Sequence, residues 1–231
     1  MTPYLNSSIV GRAVKSGRFH FHALQLRDFA ADKHRTVDSA PYGGGEGMVL
    51  RADILHSAWK RATEILAENS DLKPRTVLLS PQGRLLTQES SLVLLEGMRP
   101  LILICGHYEG VDERFIETCV DEEWSIGDYV LTGGELPALV ILDCLLRQIP
   151  GVLGNFDSFT SDSFQDDGLL KYPQYTRPET FEGRAVPDIL KSGNHGKIEK
   201  WRRAESEART ARKRPELVKV APFPKASKSP K

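Results

Sequence analysis

Two short apolar runs, residues 76–80 (TVLLS) and 101–106 (LILICG), each end in a turn and are each followed by a segment of helical spacing. Runs of this length are too short for a buried helix and match a strand covered on both faces. Such strands belong to parallel sheets, whose faces are both occupied by helices. Residues 124–137 (WSIGDYVLTGGELP) add a strand-like run that enters a double glycine and leaves it as the apolar helix ALVILDCLLRQIPG. The chain is therefore expected to be α/β, a parallel sheet between helical layers.

The helical segments can be placed from their spacing. Residues 51–68 put Ile54, Ala58, Ala62, Ile65 and Leu66 on one face. Thr87 stands where it can cap a helix over 88–96, and further helices are predicted over 112–118 and 135–147. Residues 18–26 (RFHFHALQL) have strand character, and residues 28–48 read as a long irregular connection containing three consecutive glycines. In open α/β sheets, ligands collect outside the carboxyl ends of the strands. Loops 80–83, 105–110 and 126–134 are then the expected walls of one composite pocket.

At 231 residues with 40% hydrophobic content, the chain can bury one sizeable core, alone or with a small second domain. No stretch approaches 18 consecutive apolar residues, so no membrane span is predicted and the cytoplasm is the expected location. Cys105, Cys119 and Cys144 show neither disulfide nor zinc spacing. The formal net charge of zero conceals a division: residues 191–231 hold 13 Lys or Arg against 4 Asp or Glu, so an equal acidic surplus falls on residues 1–190. A local basic face of this kind suits a polyanion, although a solvated charged helix reads the same way. Residues 150–176 lose all periodicity and resemble a linker or lid, and the tail PFPKASKSPK is expected to be disordered.

The glycine turns do not match a phosphate loop, because G-x-x-x-x-G-K-[ST] is absent and neither GHYEG nor TGGE is G-x-G-x-x-G. They can offer backbone donors and acceptors to a nucleoside at close range. Carboxylates crowd the same region: Glu109, Asp112, Glu113, Glu117, Asp121, Glu122, Glu123, Asp128 and Glu135. Most suit a solvated surface, but one among strand-end loops could bind ribose hydroxyls or face a cationic centre such as a sulfonium. Residues 157–167 contribute Asp157, Asp162, Asp166 and Asp167, with Arg147 and Lys171 near the ends. An aspartate beside an arginine could act as base and electrostatic stabiliser; a hydrophilic loop would have the same composition. Trp201 with Arg202 and Arg203 could stack on nucleic acid or anchor a helix to a small core.

Taken in order, the strings GRAVKSG (11–17), DKHRTVD (32–38), PYGGGEGM (41–48), LLSPQGR (78–84), LILICGHYEGVDER (101–114), DEEWSIGDYVLTGGELP (121–137), IPGVLGN (149–155), DSF (162–164), LLKYPQYTRPE (169–179) and LKSGNHGKIEKWRR (190–203) closely resemble one family. It is the bacterial tRNA (guanine-N1)-methyltransferases, TrmD, of the knotted SPOUT class. The resemblance covers about residues 9–218.

The resemblance implies a C-terminal trefoil knot in the α/β domain, a departure from the unknotted rule, followed by a small all-helical domain. Residues 1–155 would form the methyltransferase domain, 156–171 a flexible linker, 172–220 a helical tRNA-binding domain and 221–231 a disordered tail. S-adenosylmethionine would lie between Ser80 and Pro81, Gly106, Tyr108 and Glu109, and a third wall of Ile126, Gly127, Tyr129, Leu131, Gly133 and Gly134. The loop with Tyr42, Gly43 and Gly44 would frame the target base. Asp162 matches the family's catalytic base and Arg147 the arginine that stabilises O6 of guanine. A homodimer with shared active sites, the anticodon stem-loop of tRNA as partner, no membrane, and magnesium as a possible activator without assigned ligands complete the expectation. The competing classes are a knotted RNA methyltransferase acting on ribose or uridine, and an RNA-binding module with a decayed pocket.

Four features depart from the family's pattern. The hydrophobic first strand and LFPE-like turn do not precede TPYLNSSIVGRAVKSG, for which a start assigned to an internal Met is favoured over a trimmed sequence or a real truncation, and the C-terminus is short. His107 stands where many members have arginine, and Glu46 where proline or alanine is common. Both are expected to be tolerated.

Overall fold

The computed structural model describes residues 1–152, 162–165 and 167–219. It forms two compact units, Met1–Leu153 and Gly154–Lys231. Asp157, Asp166 and the expected tail lie outside the described residues.

The first unit begins with helices α1 (Thr2–Leu5) and α2 (Ser8–Lys15), for which no helix was predicted. A two-residue antiparallel ladder of β1 (Asp38–Ser39) and β2 (Val49–Leu50) precedes α3 (Ala52–Ala67). Then follow β3 (Arg75–Leu85), α4 (Gln88–Leu95), β4 (Leu101–Cys105), α5 (Glu113–Cys119), β5 (Glu122–Ser125) and α6 (Glu135–Leu146). Strands β4, β3 and β5 make a parallel sheet in that order, with Val77 opposite Leu103 on one side and Glu122 on the other. The expected parallel α/β architecture is present.

Successive strand residues face opposite sides, and the two sides meet different helices. Val77 and Leu79 pack with Leu94, Trp124, Ile141 and Leu145, joining α4 and α6 to one face. Ile104 meets a cluster of Ile54, Leu55, Phe115 and Cys119 from α3 and α5 on the other. Val77 and Trp124 are completely buried, as a central parallel strand and its neighbour should be. Local chemistry sets the helix starts. Thr87 accepts from the Ser90 N–H and the Ser90 hydroxyl accepts from the Thr87 N–H, the reciprocal cap that opens α4. Asp112 caps α5 by accepting from the Arg114 N–H.

Residues 18–26 form no strand, contrary to the alternation of Phe19, His20, Phe21 and His22. The alternation marks a half-buried surface, and here that surface is a cavity wall with no backbone ladder beside it. The two phenyl rings stack 6.3 Å apart on one side of a cavity of about 720 Å3, which Trp59 and Ile65 of α3, Leu142 of α6 and the unpaired edge of β4 also border.

In the second unit, β6 (Thr180–Phe181) and β7 (Arg184–Ala185) form a short antiparallel hairpin ahead of helices α7 (Asp188–Lys191) and α8 (His195–Lys213). The expectation of an all-helical domain is corrected on this point: Gly183, at φ +74°, turns the chain back on itself over two residues. Asn194 caps α8 by accepting from the Lys197 N–H. Thr210 is fully buried on α8; its hydroxyl donates to Ser206 O and accepts the Leu170 N–H. Arg203 on the same helix pairs with both Asp167 and Glu207. Part of the segment read as a linker is thus fastened to α8. Trp201 lies 6.4 Å from the Tyr175 ring and Arg202 stacks 4.8 Å from the Tyr172 ring.

Candidate active site

The three strand-end loops converge at the carboxyl edge of the sheet. Beyond Leu79, β3 bulges through Ser80 and Pro81 before pairing again, so that Leu79 and Arg84 both lie opposite Trp124. The turn after β4 meets the double glycine directly. Gly134 N–H donates to Gly106 O at 2.9 Å, and His107 stands opposite Gly133 in an isolated antiparallel bridge. A Cβ on Gly134 would lie 2.6 Å from the Cys105 Cα and 2.9 Å from the Gly106 nitrogen. Backbone meets backbone there, and only glycine permits it. The close approach, and not the backbone angle, is what requires glycine here, since any residue could adopt the Gly134 φ of −78°.

The loop following β5 closes on itself. Ser125 Oγ accepts the Gly127 N–H and donates to Gly127 O, Tyr129 N–H donates to Gly127 O, and the Tyr129 hydroxyl donates to Ile126 O. Tyr129 and Leu131 remain exposed, as does Tyr108 across the turn. Apolar surface therefore rims main-chain polar groups, the composition of a nucleoside site. Val130 on this loop and Leu136 and Val140 on α6 are also exposed, with Leu136 and Val140 one helical turn apart.

Residues 41–48 divide into a free part and an anchored part. Tyr42 is wholly exposed, and nothing would crowd a Cβ at Gly43 or Gly44. At the other end Glu109 N–H donates to Met48 O at 3.0 Å, and Leu50 N–H donates to Gly110 O at 2.9 Å. The loop expected to frame the target base is therefore fastened to the turn expected to hold the cofactor.

Two residues at this junction escaped the sequence reading. Gly47 lies under the Glu109 side chain; its position in PYGGGEGM was a signal, but three other glycines offered the same one. Glu135 was one carboxylate among nine, and the structure puts its Oε1 2.6 Å from His107 Nε2. Burial, helped by Glu135, pushes the Cys105 thiol up to about 12, so it stays protonated beside the turn.

Arg147 is half-buried at the C-cap of α6 in the first unit, its N–H donating to Asp143 O at 3.3 Å. Asp162 belongs to the second unit, where Lys171 Nζ approaches its Oδ1 to 3.1 Å. Among the described residues no three His, Cys, Asp or Glu side chains group as metal ligands. No helix among them is long and apolar enough to cross a membrane.

The family model described as tRNA (guanine-1)-methyltransferase TrmD matches residues 1–220. The chain belongs to this family. A tRNA (guanine-N(1)-)-methyltransferase of Ruminiclostridium cellulolyticum is 50% identical over 218 residues, 94% of this chain and 91% of that protein. One from Coxiella burnetii is 50% identical over 217 residues, covering 93% of this chain and 85% of its own. One from Mesorhizobium japonicum is 49% identical over 221 residues, with 96% and 92% covered. TrmD proteins are enzymes, and three of the strings that carried the resemblance, 78–84, 101–114 and 121–137, lie at this chain's converging loops.

Proposed function

We propose that this TrmD-family protein transfers a methyl group from S-adenosylmethionine to N1 of the guanosine immediately 3′ of the tRNA anticodon. The observation that carries the reading is the approach of Gly134 to Cys105 and Gly106, which joins two glycine turns into one backbone-lined cradle. No lysine follows these glycines, so the cradle suits an adenosine without phosphates. Ser80 and Pro81, the 106–109 turn, and Ile126, Gly127, Tyr129, Leu131, Gly133 and Gly134 would hold the methyl donor, with the Glu109 carboxylate near its cationic end. S-adenosylmethionine supplies an electrophilic methyl group on sulfur.

Neutral guanine carries a proton on N1, and the lone pair becomes nucleophilic only as that proton leaves. Asp162 acts as the general base that takes it, held in orientation by Lys171. Arg147 places its guanidinium by O6, where negative charge develops. Tyr42, Gly43 and Gly44 frame the flipped base, and the basic α8 binds phosphates, which gives affinity while the pocket gives base choice. The cytoplasm, where tRNA is modified, is the site of action.

The same reading includes a trefoil knot through the strand-end loops, a helical C-terminal domain for tRNA and a homodimer with shared active sites. Exposed Val130, Leu136 and Val140 support the dimer, because a second copy would cover them. Magnesium enters this reading as an activator without assigned ligands.

The test uses labelled S-adenosylmethionine with unmodified leucine or proline tRNA transcripts, followed by digestion and identification of the methylated nucleoside. N1-methylguanosine, lost when the anticodon-adjacent guanosine pair is changed, is the expected product. A 2′-O-methyl product, a methylated uridine, or equal activity on the altered transcripts would overturn the assignment. Sedimentation of the purified protein tests the dimer.

A further inference from the structure

His107 and Glu135 are 28 positions apart and stand on the two turns that form the cradle. His107 follows β4 directly after Gly106, and Glu135 is the first residue of α6, directly after Gly134. Their side chains meet at 2.6 Å, Nε2 to Oε1. A carboxylate can only accept, so the imidazole nitrogen facing it donates, and a bond this short is of the charge-assisted kind. The bridge passes across Gly133: a Cβ there would stand 2.5 Å from both His107 Cε1 and Glu135 Oε2. The bare backbone of Gly133 is what lets the two side chains close over the turn.

We propose that the His107–Glu135 pair is a positioning strap that fixes the distance between the 106–110 and 133–134 turns, and thereby the width of the methyl-donor cradle. The proposal rests on the reading of this site as the S-adenosylmethionine site. Neither residue is assigned a part in proton transfer or methyl transfer. Both side chains keep about two fifths of their surface exposed, 40% and 44%, so the pair adds little to global stability. Its effect is local: the backbone contacts from Gly134 to Gly106 and between His107 and Gly133 bring the turns together, and the side-chain bridge spans the same junction over Gly133.

The role is tested with full-length His107→Ala, Glu135→Ala, Glu135→Gln, His107→Arg and the double alanine variant. Each is measured for S-adenosylmethionine affinity by calorimetry, for the KM of S-adenosylmethionine and kcat at saturating tRNA, and for thermal midpoint. Removing either partner is expected to weaken cofactor binding about tenfold, with KM for the cofactor rising more than kcat falls and the thermal midpoint little changed. Glu135→Gln falls between, because its amide oxygen accepts without charge. The double variant is no weaker than either single one, since both remove the same bridge. His107→Arg restores affinity, because a guanidinium also donates to a carboxylate.

Unchanged affinity in the alanine variants, additive losses in the double variant, or failure of His107→Arg to rescue would overturn the strap while leaving the cofactor site standing. Absence of S-adenosylmethionine binding by the unaltered protein would remove the site reading and the strap together.

Discussion

The Glu109 side chain lies across the bare backbone of Gly47, close enough that a Cβ on Gly47 would stand 2.5 Å from both Glu109 Cγ and Oε1. With the Glu109 N–H bonded to Met48 O, this makes the proposed target-base loop and the proposed cofactor turn one mechanical unit. Gly47 is therefore expected to be intolerant in a way its neighbour is not. Gly45 also has a positive φ, +120° against +82°, but open space around it. Gly47→Ala should lower kcat/KM at least about tenfold more than Gly45→Ala, because only the first combines backbone strain of about 1–2 kcal/mol with displacement of Glu109. Steady-state kinetics on both variants would show it; equal effects would mean the Glu109 contact is immaterial.

Asp162→Asn should reduce methyl transfer by about 10²–10⁴-fold, the range expected for loss of a positioned general base. Calorimetric affinity for S-adenosylmethionine should stay near that of the unaltered protein, because none of the proposed cofactor-binding residues lies in the second unit. Loss of cofactor binding in this variant would mark Asp162 as structural.

Ile141 is completely buried on α6 between the sheet and α4. Truncation to alanine should cost about 2–5 kcal/mol, the transfer free energy of the lost carbons plus the cavity left behind. Urea denaturation measures it, and a loss under about 1 kcal/mol would mean that the face collapses to fill the space.

Cys105 should resist alkylation in the native protein. Burial first, and Glu135 second, push its thiol from 9.0 up to about 12, and the thiolate is the reactive form. Iodoacetamide at mildly alkaline pH should leave Cys105 unmodified until urea is added, as read by peptide mass mapping. Rapid modification of native protein would show that the β4 end opens to solvent.

Much of the framework was legible because it is local. The runs at 76–80 and 101–106 are strands within the parallel sheet, and the spacing from Ile54 to Leu66 reports α3 within a residue or two at each end. Thr87 was readable as a cap, since its partner Ser90 is three residues away. Residues 18–26 misled for a related reason: alternation of phenylalanine and histidine reports a surface buried on one side, and cannot tell a neighbouring strand from the wall of a cavity.

The sequence by itself determined the α/β class and the starts of α3 to α6 to within a residue or so, because burial pattern and capping are properties of a few consecutive residues. Only the tertiary structure decided that β3 is central, that the two glycine turns touch, that Gly47 must stay bare beneath Glu109, and that His107 faces Glu135. Each of these joins residues far apart in the chain. Composition and periodicity state how strongly a segment must be covered; the path of the backbone alone states by what.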